Sequence, residues 1–132
     1  MNEPMKILCV DDDHDIRTIA VMALGLDPGM EVRSVGSGIE MLALLRSARW
    51  RPDAILLDVM MPDMDGPAAL KAVRAFAVYA NLPVIFMTAR AGKADIEAYR
   101  RMGVHGVIVK PFNPIHLADE VRVMVDNRAL AH

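Results

Sequence analysis

Several features that would point to particular classes of protein are scarce or absent in this sequence. Its 132 residues include a single cysteine, Cys9, which excludes an internal disulfide and a cysteine-rich zinc site. Aromatic residues make up only 5% of the chain, and no apolar run reaches the roughly 18 residues that a membrane-spanning helix needs. The N-terminus shows no basic stretch followed by a long apolar one, which is the pattern of a secretory signal.

Charge of one sign is also lacking. The 15 basic and 17 acidic residues give a formal net charge of −2, without the basic excess that a nucleic-acid-binding surface needs. Hydrophobic residues make up 54% of the chain, which supports a buried core and argues against disorder. We therefore expect residues 1–132 to form a single cytoplasmic domain with no output domain attached. We expect no direct contact with nucleic acid or with a membrane.

Short apolar runs alternate with segments of helical periodicity along the whole chain. The apolar runs predict five strands, at residues 7–10, 31–35, 54–58, 84–88 and 106–110. The predicted helices between and after them begin at N-cap residues that include Asp13, Ser37 and Asn113. Continuous apolar strands separated by helices are typical of a parallel sheet covered on both faces. The sequence thus predicts an α/β fold: a doubly wound, flavodoxin-like (βα)5 sandwich around a five-stranded parallel sheet.

Polar residues stand where the predicted strands end. Asp11 and Asp12 follow the first strand, and Asp58, Thr88 and Lys110 end the third, fourth and fifth strands. We expect these side chains to converge, because the functional sites of such sheets lie at the carboxyl ends of the strands. Neighbouring carboxylates repel each other, so they predict a bound divalent cation, and Mg²⁺ suits oxygen ligands of this kind. A metal, a lysine and a hydroxyl around one carboxylate are what phosphoryl transfer to that carboxylate requires.

On these motifs the sequence resembles the receiver domain of bacterial response regulators over nearly its whole length. The matching segments are residues 7–13, 57–66, 83–90 and 109–112. One such motif would be a weak signal, whereas four in the right order, with strands and helices alternating between them, are highly specific.

The resemblance implies a phosphoacceptor and a metal site. Asp58 would take the phosphoryl group from a phosphohistidine of a histidine kinase or of a histidine phosphotransfer protein. Asp12 would bind Mg²⁺ directly, and Asp11 would bind it largely through water. Asp58 itself and the backbone carbonyl of Met60 would complete the ligands, with Mn²⁺ able to substitute for Mg²⁺. The chain would be a signalling protein that catalyses only its own phosphorylation and dephosphorylation, and it would relay the signal to a downstream protein by conformational change or phosphorelay.

The resemblance also assigns roles around the phosphoryl group. Thr88 and Lys110 would bind its oxygens, and the Lys110-Pro111 peptide bond would be cis. One position departs from the pattern, because Val107 stands where the family often carries a tyrosine or phenylalanine that moves inward on activation. This departure concerns the usual transmission of the signal and leaves the phosphorylation chemistry unaffected.

Two other classes of protein use related residues. A phosphohydrolase of the haloacid-dehalogenase type also combines an aspartate nucleophile with threonine or serine, lysine and Mg²⁺. Its nucleophile follows the first strand, however, and Asp15 stands where that motif requires threonine or valine. A flavodoxin-like cofactor binder would offer a phosphate loop after the first strand, where the three acids at residues 11–13 would repel a phosphate.

Overall fold

A computed structural model describes residues 3–126, and the terminal residues 1–2 and 127–132 lie outside the described part of the chain. Five parallel strands form one sheet in the order β2-β1-β3-β4-β5. The strands are β1 (Met5–Val10), β2 (Met30–Val35), β3 (Ala54–Asp58), β4 (Val84–Thr88) and β5 (Gly106–Val109). The helices are α1 (His14–Leu24), α2 (Gly38–Ser47), α3 (Gly66–Arg74), α4 (Lys93–Arg101) and α5 (Leu117–Asp126), with a short 3₁₀ helix at Ala77–Tyr79. The predicted fold class is confirmed.

The two faces of the sheet have separate cores, because successive side chains of a strand point to opposite sides. In β1, Leu8 and Val10 pack with α2, α3 and α4, whereas Ile7 and Cys9 pack with α1 and α5. Every residue of β3 and β4 is buried, which explains why these strands are continuous apolar runs. Burial raises the pKa of the Cys9 thiol to about 12, so this side chain serves as a small apolar core residue. No helix among residues 3–126 is long and apolar enough to cross a membrane.

Two predicted N-caps are present with their hydrogen bonds. Asp13 Oδ1 accepts from the amides two and three residues later, at 3.0 and 3.1 Å, at the start of α1. Ser37 Oγ accepts from the Glu40 amide at 3.1 Å at the start of α2. The Glu40 carboxylate accepts from the Gly36 amide at 2.6 Å, so the reciprocal bond of a capping box reaches one residue further back than the usual partner.

The last helix begins later than the sequence predicts. Asn113 closes a turn, with its side chain accepting from the Ile115 amide at 3.0 Å and its carbonyl accepting from the His116 amide at 3.1 Å. The first bond of α-helical spacing runs from the Glu120 amide to the His116 carbonyl, and α5 begins at Leu117. The capping residue therefore starts an isolated turn before the helix. Similarly, β5 ends one residue before the predicted end at position 110.

Candidate functional site

The topology of the sheet brings the predicted site residues together at the carboxyl ends of the strands. β1 and β3 are neighbours at the centre of the sheet, with β4 beside β3 and β5 beyond it. Asp58 is the last residue of β3 and Thr88 the last of β4. Asp11 directly follows β1, and Lys110 directly follows β5. Because all strands are parallel, these four positions lie together at the end of the sheet where the strands finish.

Lys110 joins two buried carboxylates. Its Nζ atom donates to Asp11 Oδ2 at 3.0 Å and to Asp58 Oδ1 at 3.1 Å. Asp11 is 0% exposed and Asp58 is 3% exposed, so water contributes little to neutralising either charge. A single ammonium group thus compensates two carboxylates from different strands. The Lys110-Pro111 peptide bond is cis, as the resemblance implies.

Three carboxylates are arranged so that they could hold a cation. Asp11, Asp12 and Asp58 each offer one oxygen, and these oxygens all lie within 4.8 Å of one another. Within residues 3–126 this is the only group of three or more potential histidine, cysteine or carboxylate ligands so arranged. Asp12 is exposed, whereas the other two acids are buried, so water can reach the cluster from one side. Hard oxygen donors with one side open to water fit Mg²⁺, which retains several of its waters in proteins.

The loop after β3 is held close to Asp58. The Met60 amide donates to Asp58 Oδ1 at 3.3 Å, and the Met60 side chain is 55% exposed. Further along, the Gly66 amide donates to the Val59 carbonyl at 2.8 Å. A Cβ atom on Gly66 would lie 2.8 Å from the Val59 Cα atom, so only glycine permits this close return of the chain. The loop is therefore closed tightly enough to keep the backbone of residue 60 beside the acid cluster.

Burial dominates the electrostatics of Asp58. It raises the pKa of the Asp58 carboxyl to about 6, and the nearby Asp11 carboxylate adds to the rise, while Lys110 and the Met60 amide oppose it. For Lys110, burial alone favours the neutral amine. The hydrogen bond to Asp11 and the charges of both carboxylates outweigh burial, so the pKa of Lys110 is raised and the group carries its proton at neutral pH. At pH 7 the site thus holds ionised Asp58 beside a charged lysine.

Thr88 lies at the same edge with a different partner. Its side chain is 0% exposed, and Oγ1 accepts from the Arg90 amide at 2.9 Å. The hydroxyl is thus joined to the loop that leads to α4, whereas the acids are joined to Lys110. The five side chains predicted from the strand ends therefore form an acid–lysine cluster and, beside it, a hydroxyl connected to the next loop.

Two residues that support the site have no role that the sequence motifs predict. Arg17 of α1 donates to the Asp11 carbonyl at 2.7 Å and so fixes the backbone that carries this acid. Tyr99 of α4 donates its hydroxyl to the Arg90 carbonyl at 3.2 Å. Arg17 stands close to the acid motif in the sequence, which is a usable signal. Tyr99 is distant from every motif, and only its place on the buried side of α4 suggests a contact with the sheet.

A doubly wound parallel sheet with a buried aspartate bonded to a lysine at the carboxyl ends of its strands is the arrangement that the resemblance to receiver domains implies. The sequence model of the family described as the response regulator receiver domain matches residues 7–122, and the chain belongs to this family. This membership favours the receiver interpretation over those of a phosphohydrolase and of a cofactor binder.

The relatives found by sequence are longer proteins. The chain is 32% identical over 117 residues to the DNA-binding response regulator MtrA of Mycobacterium tuberculosis, an alignment that covers 89% of this chain and 49% of MtrA. It is 35% identical over 123 residues to the transcriptional regulatory protein PrrA of Mycobacterium leprae, covering 93% of this chain and 51% of PrrA. The chain thus spans about half the length of the curated relatives it matches.

Similar solved structures are close to this chain in length. The chemotaxis protein CheY4 of Vibrio cholerae superposes with a TM-score of 0.81 at 35% identity, covering 92% of this chain and 98% of CheY4. A response regulator from Chloroflexus aurantiacus gives a TM-score of 0.83 at 31% identity, covering 94% of this chain and 99% of that one.

Proposed function

We propose that Asp58 accepts a phosphoryl group from a phosphohistidine presented by a histidine kinase or a histidine phosphotransfer protein. The observation that carries the proposal is the position of the Asp58 carboxylate at the carboxyl end of β3, the middle strand of the sheet. It is bonded to Lys110 and lies within 4.8 Å of carboxylate oxygens of Asp11 and Asp12. Membership of the receiver family and the raised pKa of Asp58, which makes its carboxylate more basic, support the same role.

The two oxygens of Asp58 have different surroundings. Oδ1 accepts the hydrogen bonds from Lys110 and from the Met60 amide. We therefore assign the nucleophilic role to Oδ2. In the transfer, Oδ2 forms a bond to phosphorus while the bond between phosphorus and the imidazole nitrogen breaks, and the electron pair of that bond leaves with the imidazole. The product on Asp58 is an acyl phosphate, with no external substrate turned over.

The side chains around Asp58 can stabilise the product. Lys110 is already within hydrogen-bond distance of Asp58, so a small movement of its ammonium group would pair it with a phosphoryl oxygen. The Thr88 hydroxyl, at the end of the adjacent strand, would donate to another phosphoryl oxygen. Phosphorylation adds nearly two negative charges, and these two donors would compensate part of them.

We assign the cation site to Asp11, Asp12, Asp58 and the backbone carbonyl of Met60. Mg²⁺, or Mn²⁺ in its place, would neutralise negative charge on the transferring phosphoryl group. Within the chain, Lys110 keeps Asp11 and Asp58 together despite their like charges, and Arg17 fixes the backbone of Asp11. The protein thus pre-organises the acid cluster before any ligand binds.

Intact-mass spectrometry after incubation with acetyl phosphate and Mg²⁺ tests the assignment. We expect the wild-type chain to gain the mass of one phosphoryl group and Asp58→Asn to lose most of this gain. The matched control is Asp63→Asn, which removes an exposed acid from the same loop and should be labelled like the wild type. Undiminished labelling of Asp58→Asn would place the acceptor elsewhere. If Asp11→Asn also lost its labelling, the acceptor would be Asp11.

Partner specificity needs a separate experiment. A purified histidine kinase or phosphotransfer protein carrying a radiolabelled phosphohistidine should transfer the label to the wild-type chain and leave Asp58→Asn unlabelled. Persistent label on the donor, under conditions in which acetyl phosphate modifies the chain, would show that this donor is not the partner.

A further inference from the structure

A continuous chain of hydrogen bonds leads from the Thr88 hydroxyl to helix α4. Thr88 Oγ1 accepts from the Arg90 amide at 2.9 Å, and the carbonyl of the same Arg90 accepts from the Tyr99 hydroxyl at 3.2 Å. The amide of Arg90 is thus held by the candidate phosphorylation site, and its carbonyl is held by a helix. The two bonds hold successive peptide groups that meet at the Arg90 Cα atom, so a displacement of this atom changes both bonds.

Tyr99 is the anchor of α4 on the sheet. Among the described residues of this helix it alone is buried, with 7% of its surface exposed. Its ring packs edge-on against Phe86 of β4, with ring centroids 5.3 Å apart and ring planes at 84°. Phe86 lies two residues before Thr88 on the same strand. A shift of Tyr99 therefore disturbs the packing of its ring against β4.

No aromatic side chain on β5 takes part in this contact. The residue opposite Phe86 on β5 is Val107, in the parallel register between β4 and β5. Valine is β-branched and short, with restricted rotamers, so it has no large ring to reorient. The aromatic side chain that bonds to the loop after β4 is supplied by the helix, since the Tyr99 hydroxyl donates to the Arg90 carbonyl.

We propose that Tyr99 is a positioning residue that couples the orientation of Thr88 to helix α4 through the backbone of Arg90. This inference rests on the proposed function, in which the Thr88 hydroxyl turns toward a phosphoryl oxygen. The Arg90 amide then loses its acceptor, and the peptide group between residues 89 and 90 moves. That movement displaces the Arg90 Cα atom and with it the next peptide group, whose carbonyl is the acceptor of the Tyr99 hydroxyl. The surface that changes on phosphorylation is accordingly that of α4.

Fluorine NMR tests the coupling directly, because the chain contains only two tyrosines. After uniform labelling with 3-fluorotyrosine, Tyr99 and Tyr79 give one resonance each, and the variants Tyr99→Phe and Tyr79→Phe assign them. Tyr79 is the internal control, since it is also buried but lies in the short 3₁₀ helix with its ring against Phe76. We expect beryllofluoride with Mg²⁺, a mimic of the phosphoryl group, to shift the Tyr99 resonance and leave that of Tyr79 in place.

The variant Tyr99→Phe separates coupling from packing, because it keeps the ring and removes the hydroxyl. We expect beryllofluoride to change the backbone amide chemical shifts of residues 93–101 in the wild type. In Tyr99→Phe these changes should be smaller by about twofold or more, because the hydrogen bond between the helix and the loop is lost. The changes at Asp58 and Thr88 should persist, and Tyr79→Phe should respond like the wild type. A full response of α4 in Tyr99→Phe, or an unmoved Tyr99 resonance in the wild type, would overturn the coupling and leave the phosphoacceptor role intact. An absence of any change at Asp58 and Thr88 would overturn the proposed function and the coupling together.

Discussion

Replacing Asp58 by asparagine should stabilise the folded protein. Asp58 is 3% exposed, and burial together with the neighbouring Asp11 raises its pKa from the ordinary value of 3.8 to about 6. A folded-state pKa above the unfolded value means that the ionised carboxylate is less favourable in the folded chain than in the unfolded chain. An asparagine side chain of nearly the same shape removes this cost, and its oxygen can still accept from Lys110 and from the Met60 amide.

The magnitude follows from the size of the pKa change. Each pKa unit corresponds to about 1.36 kcal/mol, so a rise from 3.8 to about 6 corresponds to a cost of about 3 kcal/mol for the ionised form. We expect Asp58→Asn to increase the free energy of unfolding by about 1–3 kcal/mol at pH 7, which is a rise in Tm of roughly 3–10 °C for a domain of this size. The difference should be full above pH 6 and should decline as the pH falls toward 3.8, because the wild-type carboxyl then takes up a proton.

Urea unfolding in EDTA, followed by circular dichroism from pH 4 to pH 8, measures this difference. The exposed acid variant Asp63→Asn serves as the control and should stay within about 0.5 kcal/mol of the wild type. Mg²⁺ at about 100 times its Kd should stabilise the wild type by about 2.7 kcal/mol and the Asp58 variant by less, because one ligand carboxylate is gone. A variant less stable than the wild type at pH 7 in EDTA would refute the reasoning, since the bond to Lys110 would then outweigh the cost of burial.

Four further substitutions test other parts of the structure. Asp12→Ala should weaken Mg²⁺ binding in calorimetry more than Asp13→Ala, whereas Asp13→Ala should lower the free energy of unfolding by about 1 kcal/mol because it removes the cap of α1. Gly66→Ala should cost about 1–3 kcal/mol in thermal unfolding, because its Cβ atom would lie 2.8 Å from a backbone carbon of the preceding loop. Asp27→Asn should cost about 0.5–1 kcal/mol at neutral pH, because the hydrogen bond to Arg122 holds the pKa of Asp27 below 3.8; this cost should shrink in high salt and as the pH falls below about 4.

Most of the fold could be predicted from the sequence because the central strands are buried on both faces. β3 and β4 have the predicted bounds, since every position in them must be apolar or belong to the site. The convergence of Asp11, Asp58 and Lys110 was predictable for a related reason, because parallel strands bring their carboxyl ends to one edge. These predictions depend on patterns that extend over many residues and that few alternative folds satisfy.

The remaining features depend on contacts that leave little trace in a local pattern. The start of α5 is set by competition between helical bonds and the turn at Asn113, and both arrangements suit the same residues. The sharing of Lys110 between two acids depends on distances of 3.0 and 3.1 Å that no spacing in the sequence encodes. Tyr99 is one apolar position among several on α4, and its bond to Arg90 arises only when the helix packs on the sheet.

The bond between Lys110 and Asp11 has a consequence for synthesis of the protein on the ribosome. It joins residues 99 positions apart in the chain, so β1 and β3 are made long before the group that neutralises their acids. A nascent chain that ends before residue 110 would carry Asp11 and Asp58 without the ammonium group that pairs with both of them in the complete fold. Completion of the site and completion of the sheet therefore coincide, and a truncated product would lack the lysine that its acceptor aspartate needs.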